Sequence, residues 1–347
     1  MEELADAIYE IIKDYRNHDG VFITQKEILK WSDQFGNDNM FVLEELLHLL
    51  PEVYISRVIA KNLLRKRITK CIADSEYKGI VPYLTETEFL DMQLAHKSQP
   101  AILEIIDEIL VEDYGESYKS YISYPKTNYI YFDDILASGS TVGRHVVQWL
   151  NQVDEQGKSF NQKLEDNEIR ISVSLFALHS WGYSFQKYRI LKEFNDKTVK
   201  KIQWFWDYEI QNHAKYANQR LNIAKPATGN NAVINSYYAS LIAEKYPDYA
   251  FRDINTPIKE TFFSNAQNRD RFEKILIEKG INIIDMIQGD PKPNIRPLGL
   301  INPAYKILGL GTHFFTWRNI PNNSPLVYWW EVPGHEWFAL FPVANRG

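Results

Sequence analysis

Two adjacent carboxylates, Asp133 and Asp134, stand just ahead of the small-residue run Ala137-Ser138-Gly139-Ser140-Thr141. The apolar stretch Tyr129 to Phe132 reads as a strand that ends at the aspartates, and an amphipathic helix begins directly after the run. A small-residue turn between a strand and a helix suits a phosphate group. Gly139 permits the tight turn, and the backbone amides from Ala137 to Thr141 line a concavity. The hydroxyls of Ser138, Ser140 and Thr141 add donors, and the helix N-terminus adds its dipole. In the same cup the two carboxylates would repel phosphate, so their partners are hydroxyl groups or a magnesium ion at the ligand's other end. A sugar phosphorylated on its primary carbon meets both demands. The plainer alternative is an acidic N-cap pair before an ordinary helix, which leaves the joint occurrence of strand, acids, loop and helix to coincidence. Other phosphate motifs do worse: the chain has no Gly-x-x-x-x-Gly-Lys-Ser/Thr, and Gly309-Leu-Gly311 lacks the third glycine and preceding strand of a dinucleotide fingerprint.

The string Phe132-Asp133-Asp134-Ile135-Leu136-Ala137-Ser138-Gly139-Ser140-Thr141 resembles the phosphoribosyl diphosphate (PRPP) motif of type I phosphoribosyltransferases. The resemblance implies that Asp133 and Asp134 address the 2′- and 3′-hydroxyls of a ribose as the catalytic acids, and that Ala137 to Thr141 enclose its 5′-phosphate. The wider layout is similar to a narrower group, the PRTase-CE proteins of bacterial conflict systems. That likeness rests on a helical leader with Trp31-Ser-Asp-Gln34-Phe35, the central motif, and the run Thr316-Trp-Arg-Asn-Ile-Pro-Asn-Asn-Ser-Pro325. It implies an effector of antiphage defence that binds PRPP or a nucleotide with Mg2+ and acts in phosphoribosyl transfer or glycosidic cleavage. It also implies possible company: a reverse transcriptase of the retron kind with its RNA or DNA, and a winged-helix protein. The alternative is a subunit of such a complex that senses a phosphosugar or nucleotide without turning it over.

Active members of the superfamily also grip the diphosphate of PRPP. The best match here is His96-Lys-Ser-Gln-Pro100 ahead of a helix from Ala101 to Val111, with Lys97 and Ser98 as the candidate diphosphate contacts. This segment has no glycine, and between Tyr114 and Lys126 the only cations are Lys119 and Lys126. Both features depart from the family pattern. Base contacts fall to Trp317, Arg318 and Asn319 in the amide-rich and aromatic run Gly311 to Ser324, which reads either as a hood over the base or as a packed, turned lid.

The elements that must position these residues read as α/β. Leading positions Leu4 to Ile12 and Phe41 to Leu50 have helical spacing, and Thr24 with Glu27 forms a capping-box pattern ahead of Trp31. Asn128 to Phe132 and Ile169 to Leu178 read as strands, with helices expected over Ala101 to Val111 and Thr141 to Val153. Strand, helix and strand in that order predict a mainly parallel sheet with flanking helices. The expected division is a helical N-terminal element over 1–74, a phosphoribosyltransferase-like core over 75–200, and an aromatic-rich C-terminal extension over 201–347. After about residue 200 Trp, Tyr, Asn and Pro follow in irregular order; residues 264 to 279 read as a helix, and from Pro291 on the chain reads mostly as turns and short aromatic strands.

The 347 residues are 45% hydrophobic and 24% charged with a net charge of −6, which fits a globular chain and excludes a globally basic nucleic-acid coat protein. No apolar stretch approaches the roughly 20 residues of a membrane span. The acidic, amphipathic start is unlike a signal peptide, and the lone Cys71 fits a reducing compartment, so a cytoplasmic protein without membrane contact is expected. The basic stripe Arg57, Lys61 and Arg65 reads as a nucleic-acid contact or as a solvated face over Ile59, Leu63, Leu64 and Ile68. His179 reads as a substrate contact or a core histidine, and Trp329, Trp330 and Trp337 as core or as an interface. The eight histidines show no metal-ligand spacing.

Overall fold

The computed structural model describes residues 1–212, 220–229, 231–242 and 249–343. The chain divides into two compact units, one made of Met1–Ser56 with Ile210–Gly347 and the other of Arg57–Glu209. In chain order the first unit opens with α1 (Glu2–Ile12), α2 (Gln25–Asp33), α3 (Asn39–Val53) and the short strand β1 (Tyr54–Ile55). The second unit begins with α4 (Arg57–Ala73), α5 (Ile80–Glu86), β2 (Thr87–Leu90), α6 (Ser98–Tyr114) and β3 (Asn128–Leu136). It continues through α7 (Ser140–Leu150), α8 (Phe160–Glu165), β4 (Arg170–His179), α9 (Ser180–Glu193), α10 (Asp196–Lys201) and β5 (Ile202–Ile210). The chain then completes the first unit with α11 (Ala232–Ser240), α12 (Ala266–Asp285), β6 (Phe315–Thr316) and α13 (Leu326–Trp329).

In the α/β unit the strand order is β2-β3-β4-β5, and β3 runs parallel to both β2 and β4. The crossovers α6, between β2 and β3, and α7 with α8, between β3 and β4, make this the parallel α/β arrangement expected from the sequence. A central parallel strand is covered on both faces, which explains why Tyr129 to Phe132 carries apolar side chains without alternation. Tyr131, Leu136, Val146, Trp149, Val173 and Leu175 pack in one cluster, while the Phe132 ring meets Phe89. Helix α4 also belongs to this unit. Its Lys61 and Arg65 form ion pairs with Glu108, Glu112 and Asp113 of α6, and Arg57 pairs with Glu108. Beneath them Ala60, Leu64 and Ile68 are buried, whereas Ile59 is 39% exposed, contrary to expectation.

The irregular text expected after residue 200 is corrected by β5. Trp204 and Trp206 share one face of that strand and meet the Tyr183 ring of α9, while Arg67 stacks over Phe205 on the other. Aromatic residues on both faces hid the alternation by which a strand is recognised.

The helical first unit is organised as the leading pattern predicts. Thr24 Oγ1 accepts the Glu27 N–H and the Glu27 carboxylate accepts the Thr24 N–H, which caps α2. Trp31 is fully buried, and its indole N–H donates to the Val327 carbonyl at 2.8 Å. Ile8, Ile12, Leu46, Phe272, Leu276, Phe315, Tyr328 and Phe341 complete a core that draws on both ends of the chain, and β1 pairs in parallel with β6. Trp329, Trp330 and Trp337 belong to this core. A buried ion network pins irregular backbone to α12. Arg269 donates to Glu260, Glu273 and the carbonyls of Leu221 and Ile223, and Arg252 pairs with Asp270 and Glu273.

Candidate functional site

β3 carries Asp133 and Asp134 near its carboxyl end, where both are buried, at 5% and 6% exposure. Asp133 is saturated with donors. Its Oδ1 accepts the Ser98 hydroxyl and the Asp134 N–H, both at 2.9 Å, and its Oδ2 accepts Gln93 Nε2 at 2.7 Å and faces the Tyr131 hydroxyl at 3.1 Å. Tyr131 sits two residues earlier on the same strand face, and its hydroxyl also meets His145 Nδ1 of α7 at 2.9 Å. Burial, reinforced by the neighbouring Asp134 carboxylate, pushes the Asp133 carboxyl up to about 8. Burial likewise holds His145 below the ordinary imidazole range, with Arg144 adding to the effect. A neutral His145 can accept the Tyr131 proton, so the chain Asp133, Tyr131, His145 is consistent in donors and acceptors. Asp134 Oδ1 accepts the Ile135 N–H at 2.8 Å.

In the loop that follows, Gly139 makes the tight turn. Gly139 adopts the left-handed conformation, φ 79°, and caps α7, where the Gly143 N–H donates to its carbonyl at 2.9 Å. Ser140 and Thr141 are exposed and Ser138 is half-buried, while Ala137 and Gly139 are buried against the rest of the unit. Eleven residues of α7 place the positive end of their dipole at this turn. The inner wall of the loop is α9, whose Gly182 and Gln186 lie against it.

Helix α6 begins beside the aspartates. Lys97 is its exposed N-cap, Ser98 bonds Asp133, and Gln99 is fully buried, accepting the Met92 N–H at 2.6 Å and donating to the Phe132 carbonyl at 2.9 Å. The structure therefore brings Ser98, Asp133 and Asp134 together, with the Ala137 to Thr141 loop continuing from the same strand. Farther along, Lys126 is spent on the carbonyls of Leu84, Thr85 and Tyr121, and Lys119 pairs with Asp107. His179 is fully buried, and burial holds it down to about 3, so it is neutral.

Trp317, Arg318 and Asn319 lie in the first unit. Trp317 is buried, and its N–H donates to the Ile55 carbonyl at 2.8 Å. Arg318 pairs with Asp19. Burial pushes the Asp19 carboxyl up, but the guanidiniums of Arg16 and Arg318 outweigh it and hold the group below its ordinary value. Asn319 closes a turn on Thr316, donating its N–H to the Thr316 hydroxyl at 3.0 Å.

Sequence reading missed Gln93, Tyr131, His145, Gly182 and Gln186 as parts of this neighbourhood. Only Tyr131 carried a signal, since its spacing of two from Asp133 on a strand puts both on one face. Among the described residues no three His, Cys, Asp or Glu side chains come together to hold a metal ion. With both oxygens of Asp133 already engaged by Ser98, Gln93 and the Asp134 N–H, the side chains present do not build a magnesium cage of their own. Among the described residues no helix is long and apolar enough to cross a membrane.

The family model described as PRTase-CE matches residues 28–343. No curated protein matches the chain.

Proposed function

Because the chain belongs to the PRTase-CE family, and so is phosphoribosyltransferase-like, we propose that its α/β unit binds PRPP or a nucleotide through the ribose 5-phosphate moiety. One observation carries this reading. The carboxyl end of β3 holds two adjacent buried aspartates where the first turn of α6 bonds to Asp133 and the glycine-capped turn opening α7 follows on. In this reading the loop takes the 5′-phosphate, the aspartates address the ribose hydroxyls, and Lys97 with the backbone of Ser98 at the start of α6 grips the diphosphate. When the group on C1 of the ribose departs, positive charge develops on the ring, and the aspartates stabilise it through hydroxyl hydrogen bonds that strengthen at that moment. A base nitrogen attacking C1 gives phosphoribosyl transfer, and water attacking a nucleotide gives glycosidic cleavage.

A second reading, sensing without turnover, is favoured by a separate observation. Both oxygens of Asp133 are already engaged by protein donors, and Lys126 is committed to three carbonyls rather than to a ligand. In either version the family resemblance supports a role as an effector or subunit in bacterial antiphage defence, alongside a reverse transcriptase with its nucleic acid and a winged-helix protein.

The test is incubation of the protein with magnesium and either PRPP or nucleotides, read by mass spectrometry, with an Asp133→Asn/Asp134→Asn variant beside the wild type. Consumption by the wild type alone supports catalysis. Binding without consumption supports sensing, and absence of both removes the ribose 5-phosphate reading.

A further inference from the structure

In a trans peptide the carbonyl and the N–H of one unit point in opposite directions. A Cβ added at Gly182 would lie 2.0 Å from the Ala137 carbonyl oxygen, so that oxygen is turned onto the first turn of α9. The next carbonyl, of Ser138, accepts Gln186 Nε2 at 3.4 Å, one helical turn farther along α9. With both oxygens facing α9, the amides of the same two peptide units, Ser138 N–H and Gly139 N–H, are turned away from it. Helix α9 thus sets the direction in which the loop's donors point.

Gln186 is fully buried at this seam. Its Cγ and Nε2 would lie 2.5 and 2.6 Å from a Cβ at Gly139, and its Oε1 1.6 Å from one at Gly143, so both glycines are clearances for the glutamine. Oε1 has no hydrogen-bond partner. An unpaired buried amide oxygen is unfavourable, and an apolar side chain of similar volume would fill the seam better. Packing therefore does not account for the amide, whereas the bond from Nε2 to Ser138 does.

We propose that Gln186 is the positioning residue of the phosphate loop, its amide holding the Ser138 carbonyl against α9 so that the Gly139 N–H stays presented to a dianionic phosphate monoester. This inference rests on the reading of the loop as a ribose 5-phosphate site. Gln186→Met keeps the bulk of the side chain and removes both the donor and the unpaired oxygen. In calorimetric titration of the full chain with ribose 5-phosphate, Gln186→Met binds about tenfold more weakly than wild type, while its melting temperature is unchanged or higher. With 15N-glycine labelling, ribose 5-phosphate shifts the Gly139 amide resonance in the wild type and leaves it in place in the variant. Gln186→Glu, which keeps the shape and carries no donor when ionised, binds more weakly still; it carries the test if the methionine variant does not fold. Equal affinity of wild type and either folded variant overturns the inference alone. No binding of ribose 5-phosphate by the wild type overturns the site reading, and the inference with it.

Discussion

The Ser98 hydroxyl, in the first turn of α6, donates to Asp133 Oδ1 at 2.9 Å, linking the start of one crossover helix to the acid at the end of the neighbouring strand. Both residues are buried, so neither has water to replace the other. Ser98→Ala leaves the Asp133 oxygen one donor short and is expected to cost about 1–3 kcal/mol of unfolding free energy, measured by urea denaturation. The same variant raises the Asp133 titration further. An unchanged midpoint would show that the bond contributes nothing to the fold.

The pH dependence of stability carries the sign of Asp133. Its carboxyl is raised in the folded protein to about 8 from the ordinary 3.8, so between those values the folded state holds a proton that the unfolded state has released. The Asp133 contribution is therefore fully present below about pH 4 and is lost as pH rises through about 8. Asp133→Asn cannot titrate, so the difference in stability between wild type and variant should shift against the wild type over that window. A difference that stays flat with pH contradicts the assignment.

His313 has the opposite sign. It is buried among Phe262, Phe263, Phe272, Phe315 and Tyr328, with Nδ1 at 3.1 Å from the Gly311 carbonyl and Nε2 at 3.0 Å from the Tyr328 hydroxyl. Burial lowers it from 6.5 to about 3. The unfolded chain takes up a proton below about pH 6.5 that the folded state refuses, so stability is lost as pH falls from there toward 3, at about 1.4 kcal/mol per pH unit. His313→Gln should be less stable at neutral pH and show a shallower acid limb in denaturation at stepped pH.

Arg269 tests the buried ion network of the first unit. Removing its guanidinium takes from Glu260 its ion-pair partner, leaves the buried Glu273 with Arg252 as its remaining cation, and leaves the Leu221 and Ile223 carbonyls without their donor. Arg269→Met is expected to cost about 3–5 kcal/mol in chemical denaturation.

Gly182 tests the clearance between α9 and the loop. A methyl group there would stand 2.0 Å from the Ala137 carbonyl oxygen, which is backbone and cannot rotate aside. Gly182→Ala should cost about 1–3 kcal/mol, read from thermal or urea unfolding, and weaken ribose 5-phosphate binding in calorimetry.

The strand from Asn128, the acids, the small-residue turn and the helix after it were legible in the sequence because their signals are local. An apolar run, a glycine that must take positive φ and a helix period all sit within about twenty residues. The capping of α2 by Thr24 and Glu27 was legible for the same reason. What the sequence concealed is what depends on distant pairing. Gln186 follows Gly139 by more than forty residues and looks like an ordinary polar helix position. Ser98 reads as a candidate diphosphate contact, and its bond to Asp133 shows only once the chain is folded. The basic stripe of α4 gave no sign of which reading held, because its acidic partners lie on α6. Arg318 looked available for a ligand, and its link to Asp19 spans almost the whole chain.

The parallel pairing of β1 with β6 has a consequence for synthesis. Tyr54 and Ile55 leave the ribosome long before Phe315 and Thr316, so the opening helices wait for their core partners until about 260 further residues, counted from Ile55 to Phe315, have been made. The inserted stretch Arg57–Glu209 is contiguous and needs no such delay. Nascent chains stalled shortly after Glu209 should already shield their β3 and β4 segments from protease while their first fifty-six residues are still cut.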